Sequence, residues 1–313
     1  MSKCLICASP VDNSQQYHSK CLQDLFGSKE QPILEVRLDQ LNELAKKSVH
    51  QRVTVPGVQS KLSMEIDRKT ESADKLTIVG IWGRFILKPP SNRWPELPAN
   101  EHCTMMLAEA AGLETVPYGL IHLASGELAY ITKRIDRDEK GYKFAMEDMC
   151  QLTGRLTEDK YKGSHEQIAR IIKQFSANPL YDLTRFYELV LFSFITGNGD
   201  MHLKNFSLFK DPVVGWKLAA GYDLLNTRLV IPEEKDPDEL ALTLAGKKSN
   251  FNSETFDNFG KTIGLNYKQI QNINEGLLSK RDMFLQTVEK SFLSDEMKGL
   301  YKQILEKRIQ IMS

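Results

Sequence analysis

The chain has 313 residues, of which 41% are hydrophobic and 26% are charged, as in an ordinary globular protein with one large domain or two lobes. Its 41 basic and 41 acidic residues balance, which argues against a protein that binds nucleic acid directly through its overall charge. An odd number of cysteines and the lack of a secretory signal indicate a reducing compartment, so we expect a cytoplasmic protein that does not span a membrane.

The first half of the chain predicts mostly strands, with two helices among them. The helices are residues 35–47, where apolar residues recur at helical spacing, and "NEHCTMMLAEAAGL", which we expect to end at Gly112. The predicted strands alternate with turn residues, and they are "RVTVPGVQSKLSMEI" (two strands about a Pro-Gly turn), "KLTIVG", "RFILKPP" and a hairpin about Ser125-Gly126.

The second half predicts mostly helices. These are "HEQIARIIKQFS", the nearly apolar "LTRFYELVLFSFI", and the whole stretch from Ser253 to the end; two short strands, "FSLFK" and "GWKLAAGYDLL", flank a turn at Asp211-Pro212. A β-rich half followed by an α-rich half predicts an α+β chain with two lobes and a ligand cleft between them. We place a small Cys/His segment at 1–30, the N-lobe at 31–138 and the helical C-lobe at 139–313.

One segment of the second half concentrates polar side chains directly after a buried helix. In "NGDMHLKNFSL", Asp200 is followed by Asn205, and Asp223 lies on the next predicted hairpin. This order is the one used for phosphoryl transfer, in which the first Asp accepts the proton of the attacking hydroxyl while the Asn and the later Asp hold Mg²⁺. We therefore predict Asp200 as the catalytic base and Asn205 and Asp223 as Mg²⁺ ligands.

The first half supplies the residues that would complete such a site. Lys88 ends an apolar strand, where its ammonium could pair with phosphates, and Glu101 near the start of the following helix could pair with Lys88. The loop "VTVPGVQSK" could cover the phosphates with backbone N–H groups, although Gly57 is its one glycine.

Each of these residues also has an ordinary structural explanation. The spacing of Asp200 and Asn205 occurs by chance in many chains, and Asp223 could be a turn residue. Lys88 could be a solvated strand end, and Glu101 could be a first-turn acid that complements the helix dipole. It is the occurrence of all these elements in one order that favours kinase chemistry.

Several motifs resemble the HipA-like serine/threonine kinases of bacterial toxin–antitoxin systems. The resemblance covers about residues 50–245 and rests on "TVPGVQSKLSM", "FILKPP", "NEHCTMMLAEAAGL", "ITKRIDR", "MEDMCQLTG", "NGDMHLKNFSL" and "GYDLLNTRL". It implies a two-lobed protein-kinase-like fold and ATP with Mg²⁺ as cofactors.

The resemblance also implies individual roles in nucleotide binding. Lys88, with Glu101 beside it, would contact ATP, His202 would lie beside the phosphates, and the backbone from Lys133 to Ile135 would meet adenine. The loop residues that would cover the phosphates are Gly57, Val58 and Gln59. This loop carries an autophosphorylated serine in the family, and Thr54 stands at that position here.

Partners and substrate follow from the same resemblance. The chain reaches its phosphate loop by residue 54, so we expect it to lack the N-terminal subdomain of HipA and to be similar to the short HipT kinases. There, a small HipS-like antitoxin supplies the missing piece on the N-lobe, beside a HipB-like DNA-binding protein. The implied substrate is an aminoacyl-tRNA synthetase, with the tryptophanyl enzyme favoured over the glutamyl enzyme.

Two other functions are compatible with parts of the pattern. The segment around Asp200 also resembles the H-G-D-x4-N motif of aminoglycoside and choline phosphotransferases, which are small-molecule kinases. The missing His before Gly199 and the presence of "EDMCQ" favour a protein kinase. A pseudokinase that only binds is the third possibility, and the intact set of Lys88, Asp200, Asn205 and Asp223 argues against it.

The N-terminus carries a second pattern with chemical meaning. Cys4 and Cys7 form a C-x2-C pair, and His18 and Cys21 form an H-x2-C pair. Two chelating pairs of soft ligands suit a tetrahedral Zn²⁺ site. The alternative is a hairpin with reduced, metal-free thiols, because a domain of this size is large enough to fold without a metal.

Overall fold

The computed structural model describes residues 2–41, 43, 61–68, 74–80, 82–91 and 93–313. The chain divides into two compact units. Unit 1 comprises Met1–His102, Val116–Tyr142 and Lys290–Phe292, and unit 2 comprises Cys103–Thr115, Lys143–Glu289 and Leu293–Ser313. The boundaries placed from the sequence after residues 30 and 138 stay a prediction.

Unit 1 begins with a two-stranded ribbon and a short helix. Strand β1 (Ser2–Lys3) pairs antiparallel with β2 (Pro10–Val11), and helix α1 (Ser19–Phe26) follows. The helix ends at Gly27, whose φ of 71° lies in the left-handed region that glycine adopts without a steric penalty. Its Phe26 is buried, with its ring centroid 5.7 Å from that of Phe85, which anchors the helix in the core of unit 1.

An antiparallel sheet forms the centre of unit 1. Its strands in chain order are β3 (Leu62–Asp67), β4 (Lys75–Ile78), β5 (Phe85–Lys88), β6 (Tyr118–His122) and β7 (Leu128–Lys133). They are arranged in the order β4-β3-β5-β7-β6, so β5 is the middle strand and β6 is an edge. The β6–β7 hairpin turns at Gly126, as predicted, where φ is 102°.

Two predicted helices lie before β3 and between β5 and β6 in the sequence. Residues 38–41 and 43 are helical, so the helix predicted for 35–47 begins at residue 38, and most of its remainder lies outside the described residues. Helix α2 (Leu97–Ala111) ends at Gly112, whose φ of 88° gives the stop that the sequence predicted.

Unit 2 is mainly helical. Within residues 143–313 the helices are α3 (Met149–Leu152), α4 (His165–Phe175), α5 (Pro179–Ile195), α6 (Ser253–Thr262), α7 (Tyr267–Leu278), α8 (Arg281–Lys290) and α9 (Asp295–Met312). Helix α5 is the core element, as its apolar sequence predicted; its Phe186 lies 5.3 Å from Phe206 and 6.2 Å from Phe259 between ring centroids. The helix starts at Pro179, because proline is favoured in a first helical turn.

Unit 2 also contains a small antiparallel sheet, with one strand before the segment that contains Asp200 and two strands after it. Its strands are β8 (Met146–Asp148), β9 (Ser207–Asp211) and β10 (Gly215–Leu218), in the order β10-β9-β8. The sequence predicted β9 and β10 but missed β8, whose residues Met-Glu-Asp carry no strand pattern and pair only because β9 lies beside them. In the described part of the chain, no helix has both the length and the apolar content to cross a membrane.

Two helical glycines of unit 2 should respond oppositely to alanine. A Cβ at Gly260 would lie 2.7 Å from side-chain carbons of the buried Ile270, whereas a Cβ at Gly276 would meet nothing within 4 Å. We expect Gly260→Ala to lower the free energy of unfolding by about 1–3 kcal/mol through overpacking. Gly276→Ala should raise it by up to about 1 kcal/mol through helix propensity. Denaturant unfolding of both variants tests this, and stabilisation by Gly260→Ala would contradict the packing described here.

Candidate active site

Unit 1 contains a buried ion pair between a strand and a helix. Lys88 ends β5 and Glu101 lies in α2, and the Lys88 Nζ donates to Glu101 Oε1 at 2.6 Å. The two side chains are only 4% and 2% exposed, and the ammonium also lies 5.4 Å from the ring centroid of Tyr130. These contacts contradict a solvated end for Lys88 and a first-turn position for Glu101.

The segment predicted to meet adenine is held by polar contacts within unit 1. The Lys133 amide donates to the Pro117 carbonyl at 2.9 Å, and its Nζ donates to Glu139 at 3.2 Å. Ile135 is partly exposed in the turn that follows β7. The predicted phosphate-loop residues and the predicted autophosphorylation site lie outside the described residues, and they are Thr54, Gly57, Val58 and Gln59.

In unit 2, the loop after α5 is clamped by Thr227. The Thr227 hydroxyl accepts the Gly199 N–H at 2.8 Å and donates to the Gly197 carbonyl at 3.0 Å. Gly197 has a φ of 70°, and a Cβ there would come within 3.0 Å of the Asn226 side chain. The backbone that leads into Asp200 therefore has one tightly determined path, and the sequence analysis missed Thr227 as its support.

Asp200 accepts a hydrogen bond from Tyr161. The Tyr161 hydroxyl lies 2.6 Å from Asp200 Oδ1, and its ring lies 5.1 Å from that of His202. Burial, followed by the negative charge of Asp200, raises the pKa of Tyr161 above its ordinary value. The phenol therefore stays protonated and donates to the carboxylate.

Asp200 and Asp223 both affect the pKa values of His202 and Tyr161. Burial lowers the pKa of His202 below its ordinary value, against the opposing charges of Asp200 and Asp223, so the ring is neutral near pH 7. Asp223 also raises the pKa of Tyr161, which puts both carboxylates within electrostatic reach of this Tyr-His pair. The His202 Nδ1 is buried and has no hydrogen-bond partner among the described residues.

The proposed metal ligands sit on constrained backbone. Asn205 is 4% exposed and closes a 3₁₀ turn, Leu203–Asn205, in which its N–H donates to the His202 carbonyl at 2.9 Å. Asp223 has a φ of 60°, a left-handed conformation that is costly for a residue with a side chain and is often found at functional sites. An amide oxygen and a carboxylate are the hard ligands that suit Mg²⁺.

The two most specific motif blocks are joined by an ion pair that the sequence analysis did not predict. Asp148 of "EDMCQ" caps α3 by accepting the Gln151 N–H at 3.0 Å, and its other oxygen accepts from Lys204 Nζ at 2.8 Å. Tyr222 donates to the Lys204 carbonyl at 2.9 Å. Tyr222, the residue before Asp223, and Asp148 at the end of β8 therefore both hold the turn that contains Asn205.

Comparison with protein families identifies one matching model. Residues 53–283 match the model of the HipA-like C-terminal domain. A protein of Haemophilus influenzae, provisionally named a kinase, is 28% identical over 297 residues, covering 86% of this chain and 84% of its own length. The HipA serine/threonine-protein kinase toxin of Shewanella oneidensis is 26% identical over 218 residues, which covers 60% of this chain and 49% of the toxin.

Solved structures show the same fold. The Shewanella oneidensis HipA chain in a complex with HipB and operator DNA has a TM-score of 0.68 at 21% identity, covering 83% of this chain and 65% of HipA. The Helicobacter pylori proinflammatory kinase CtkA has a TM-score of 0.51 at 14% identity, covering 73% and 87%. The predicted two-lobed, kinase-like α+β fold is confirmed by these matches.

Removing one member of the buried ion pair should be more harmful than removing both. Lys88→Met leaves the Glu101 carboxylate buried without its cation, so we expect a loss of about 3–5 kcal/mol in the free energy of unfolding. The double variant Lys88→Met/Glu101→Leu should recover much of that loss, because no charge is left buried. Denaturant unfolding of the single and double variants measures this difference. Equal destabilisation of the two proteins would show that the charges of Lys88 and Glu101 are not coupled.

The hydroxyl of Tyr161 should report the charge of Asp200. Replacing Asp200 with Asn removes the negative charge that raises the pKa of Tyr161, so we expect that pKa to fall while burial keeps it above its ordinary value. ¹³C NMR of labelled tyrosine measures it, with Tyr161→Phe assigning the signal. Asp295→Asn, which changes a fully exposed acid, is the matched control and should leave the signal unchanged.

Proposed function

Since this chain belongs to the HipA-like family, we propose that it is an ATP-dependent serine/threonine protein kinase. The observation that carries the proposal is the buried pair of Lys88 and Glu101. Protein kinases require such a pair, between a strand lysine and a glutamate of the following helix, to position ATP phosphates. A buried ion pair is often no more stabilising than apolar residues of the same size, which favours a functional reason for this one.

The residues of unit 2 would supply the remaining chemistry. Asp200 would accept the proton of the substrate hydroxyl, and the Tyr161 hydrogen bond would orient its carboxylate. Asn205 and Asp223 fit Mg²⁺ by the chemistry of their donor oxygens. When bound, Mg²⁺ neutralises charge on the phosphates. Neutral His202 would lie beside the phosphates without adding a positive charge.

We assign the segments that would bind adenine and the phosphates by their resemblance to the family motifs. The backbone from Lys133 to Ile135 would meet adenine, and Gly57, Val58 and Gln59 would cover the phosphates with their N–H groups. Thr54 would be the site of self-phosphorylation. A phosphoryl group on a loop that covers ATP phosphates sets like charges against each other, so phosphorylation there should restrain the kinase.

The biological setting that we propose is a toxin–antitoxin system similar to HipBST. The similarity to the Shewanella HipA toxin, whose solved complex includes HipB and operator DNA, supports a HipB-like partner. A small HipS-like antitoxin on the N-lobe and an aminoacyl-tRNA synthetase substrate, with the tryptophanyl enzyme favoured, rest on the motif resemblance. Inhibition of translation, and through it persistence, would follow from synthetase phosphorylation in the cytoplasm.

Substitution of the base tests the catalytic proposal. With labelled ATP and host lysate, the wild-type chain should label protein, and Asp200→Asn should lower that rate by about 10²–10⁴-fold, the usual contribution of a general base. Nucleotide affinity should stay nearly unchanged, because Lys88, Asn205 and Asp223 remain. Asp295→Asn, a substitution of an exposed acid, should behave as the wild type.

The same assay separates the alternatives. Label in small metabolites would favour a small-molecule kinase, and nucleotide binding without any transfer would favour a pseudokinase. Phosphopeptide mapping against the Asp200→Asn copy identifies the substrate and the self-modified residue. Self-phosphorylation found only outside residues 53–63 would contradict the role of Thr54.

A further inference from the structure

The N-terminal ribbon of unit 1 brings four metal-ligating side chains together. Cys4, Cys7, His18 and Cys21 each present one ligand atom, and these four atoms lie within 4.8 Å of one another. His18 Nδ1 is 3.3 Å from the Cys7 sulfur and 3.9 Å from the Cys21 sulfur. In a tetrahedral site with Zn–S of about 2.3 Å and Zn–N of about 2.0 Å, ligand atoms lie about 3.5–3.8 Å apart. The cluster therefore has the dimensions of a four-coordinate site.

The His18 ring is oriented for metal binding through one particular nitrogen. Its Nε2 lies 3.0 Å from the Pro10 carbonyl oxygen, which can only accept a hydrogen bond. Nε2 therefore carries the ring proton, and Nδ1 presents its lone pair to the cysteine sulfurs. A metal-bound histidine usually donates its other ring N–H to a group such as a backbone carbonyl, which fixes the tautomer in this way.

The backbone that follows Cys4 forms a tight turn through Cys7. The Cys4 side chain is fully buried. The turn closes with the Ala8 N–H donating to the Cys4 carbonyl at 2.8 Å, and Ala8 takes a left-handed φ of 56°. A tight turn that joins two cysteines three positions apart is suited to a chelating C-x2-C pair.

We propose that Cys4, Cys7, His18 and Cys21 bind one Zn²⁺ in a closed, structural site. Three thiolates and one imidazole are soft ligands that favour zinc in tetrahedral geometry. Four protein ligands leave no position for water or substrate, so this site stabilises structure and performs no catalysis. The proposal stands independently of the kinase proposal, since none of the four residues belongs to the candidate active site.

The segment that contains the four ligands covers the β6 edge of the sheet in unit 1. Leu120 of edge strand β6 donates its N–H to the Leu5 carbonyl at 2.7 Å, and its own carbonyl accepts from the Tyr17 hydroxyl at 2.9 Å. The Ile6 carbonyl lies 2.8 Å from Nε2 of the buried His102 in α2. Leu5 and Ile6 lie between two ligands and Tyr17 precedes a third, so metal binding would hold this cover in place.

Metal content is the first measurement. Wild-type protein purified without chelator should contain one zinc per chain by mass spectrometry of the metal. Cys7→Ser and His18→Gln should each lose most of it, whereas the controls Cys150→Ser and His122→Gln, which alter residues outside the cluster, should keep it. Folded wild-type protein with no zinc, with a different metal at one equivalent, or with zinc retained in both ligand variants would overturn the proposal.

Cadmium substitution tests the ligand set without relying on variants that fold poorly. In ¹¹³Cd-loaded wild-type protein, scalar couplings should reach the β-protons of Cys4, Cys7 and Cys21. The coupling to His18 should reach Hε1 and not Hδ2, because Nδ1 is the ligand. Couplings from any other cysteine, or a coupling to His18 Hδ2, would contradict the proposed ligand set.

Hydrogen exchange tests the structural role. Chelation of the metal should speed exchange of the Leu120 amide by tenfold or more, because its acceptor lies in the released segment. The amide of Ile121 is the internal control, since alternation along the strand directs it toward β7. Equal protection of Leu120 with and without metal would show that the site does not hold the cover on β6.

Discussion

The ion pair between Lys88 and Glu101 is the constraint on which unit 1 depends, because two charges removed from water must stay together. β5 is the middle strand, so its position sets the register of the strands on both sides. Lys88 lies opposite Tyr130 on β7, and its ammonium approaches the Tyr130 ring. A slip of β5 by one residue would turn the ammonium away from Glu101, so the pair specifies both the sheet register and the position of the part of α2 that belongs to unit 1.

In unit 2 the candidate catalytic side chains lie on loops, and contacts from other segments hold these loops in position. The backbone before Asp200 is clamped by Thr227, and the turn that contains Asn205 is tied through Lys204 to Asp148. These supports come from chain segments far apart in sequence. Loops that carry chemistry need such supporting contacts, because their own backbone has few regular hydrogen bonds.

The N-terminal segment shows how a piece too small for its own core can still be ordered. Its ribbon has two residues per strand, and its helix α1 is eight residues long. It is held by apolar side chains of α1 buried in unit 1 and by hydrogen bonds to the edge strand β6. A metal bound by Cys4, Cys7, His18 and Cys21 would crosslink the ribbon to α1 and add a further constraint.

The sequence by itself determined the α+β class, most of the helices and strands, and the family, because periodicity, turn residues and motif order are local properties. It also identified the four clustered ligands, since chelating pairs are recognisable from their spacing. Only the tertiary structure decided between the open alternatives and showed which polar residues are buried. The sequence suggested that Lys88 pairs with Glu101 but left a solvated strand end open, and Tyr161 and Thr227 have no motif that links them to Asp200. Strand β8 forms only because β9 offers a partner. Burial and pairing depend on contacts between distant segments, and such contacts leave no periodic signal in the chain.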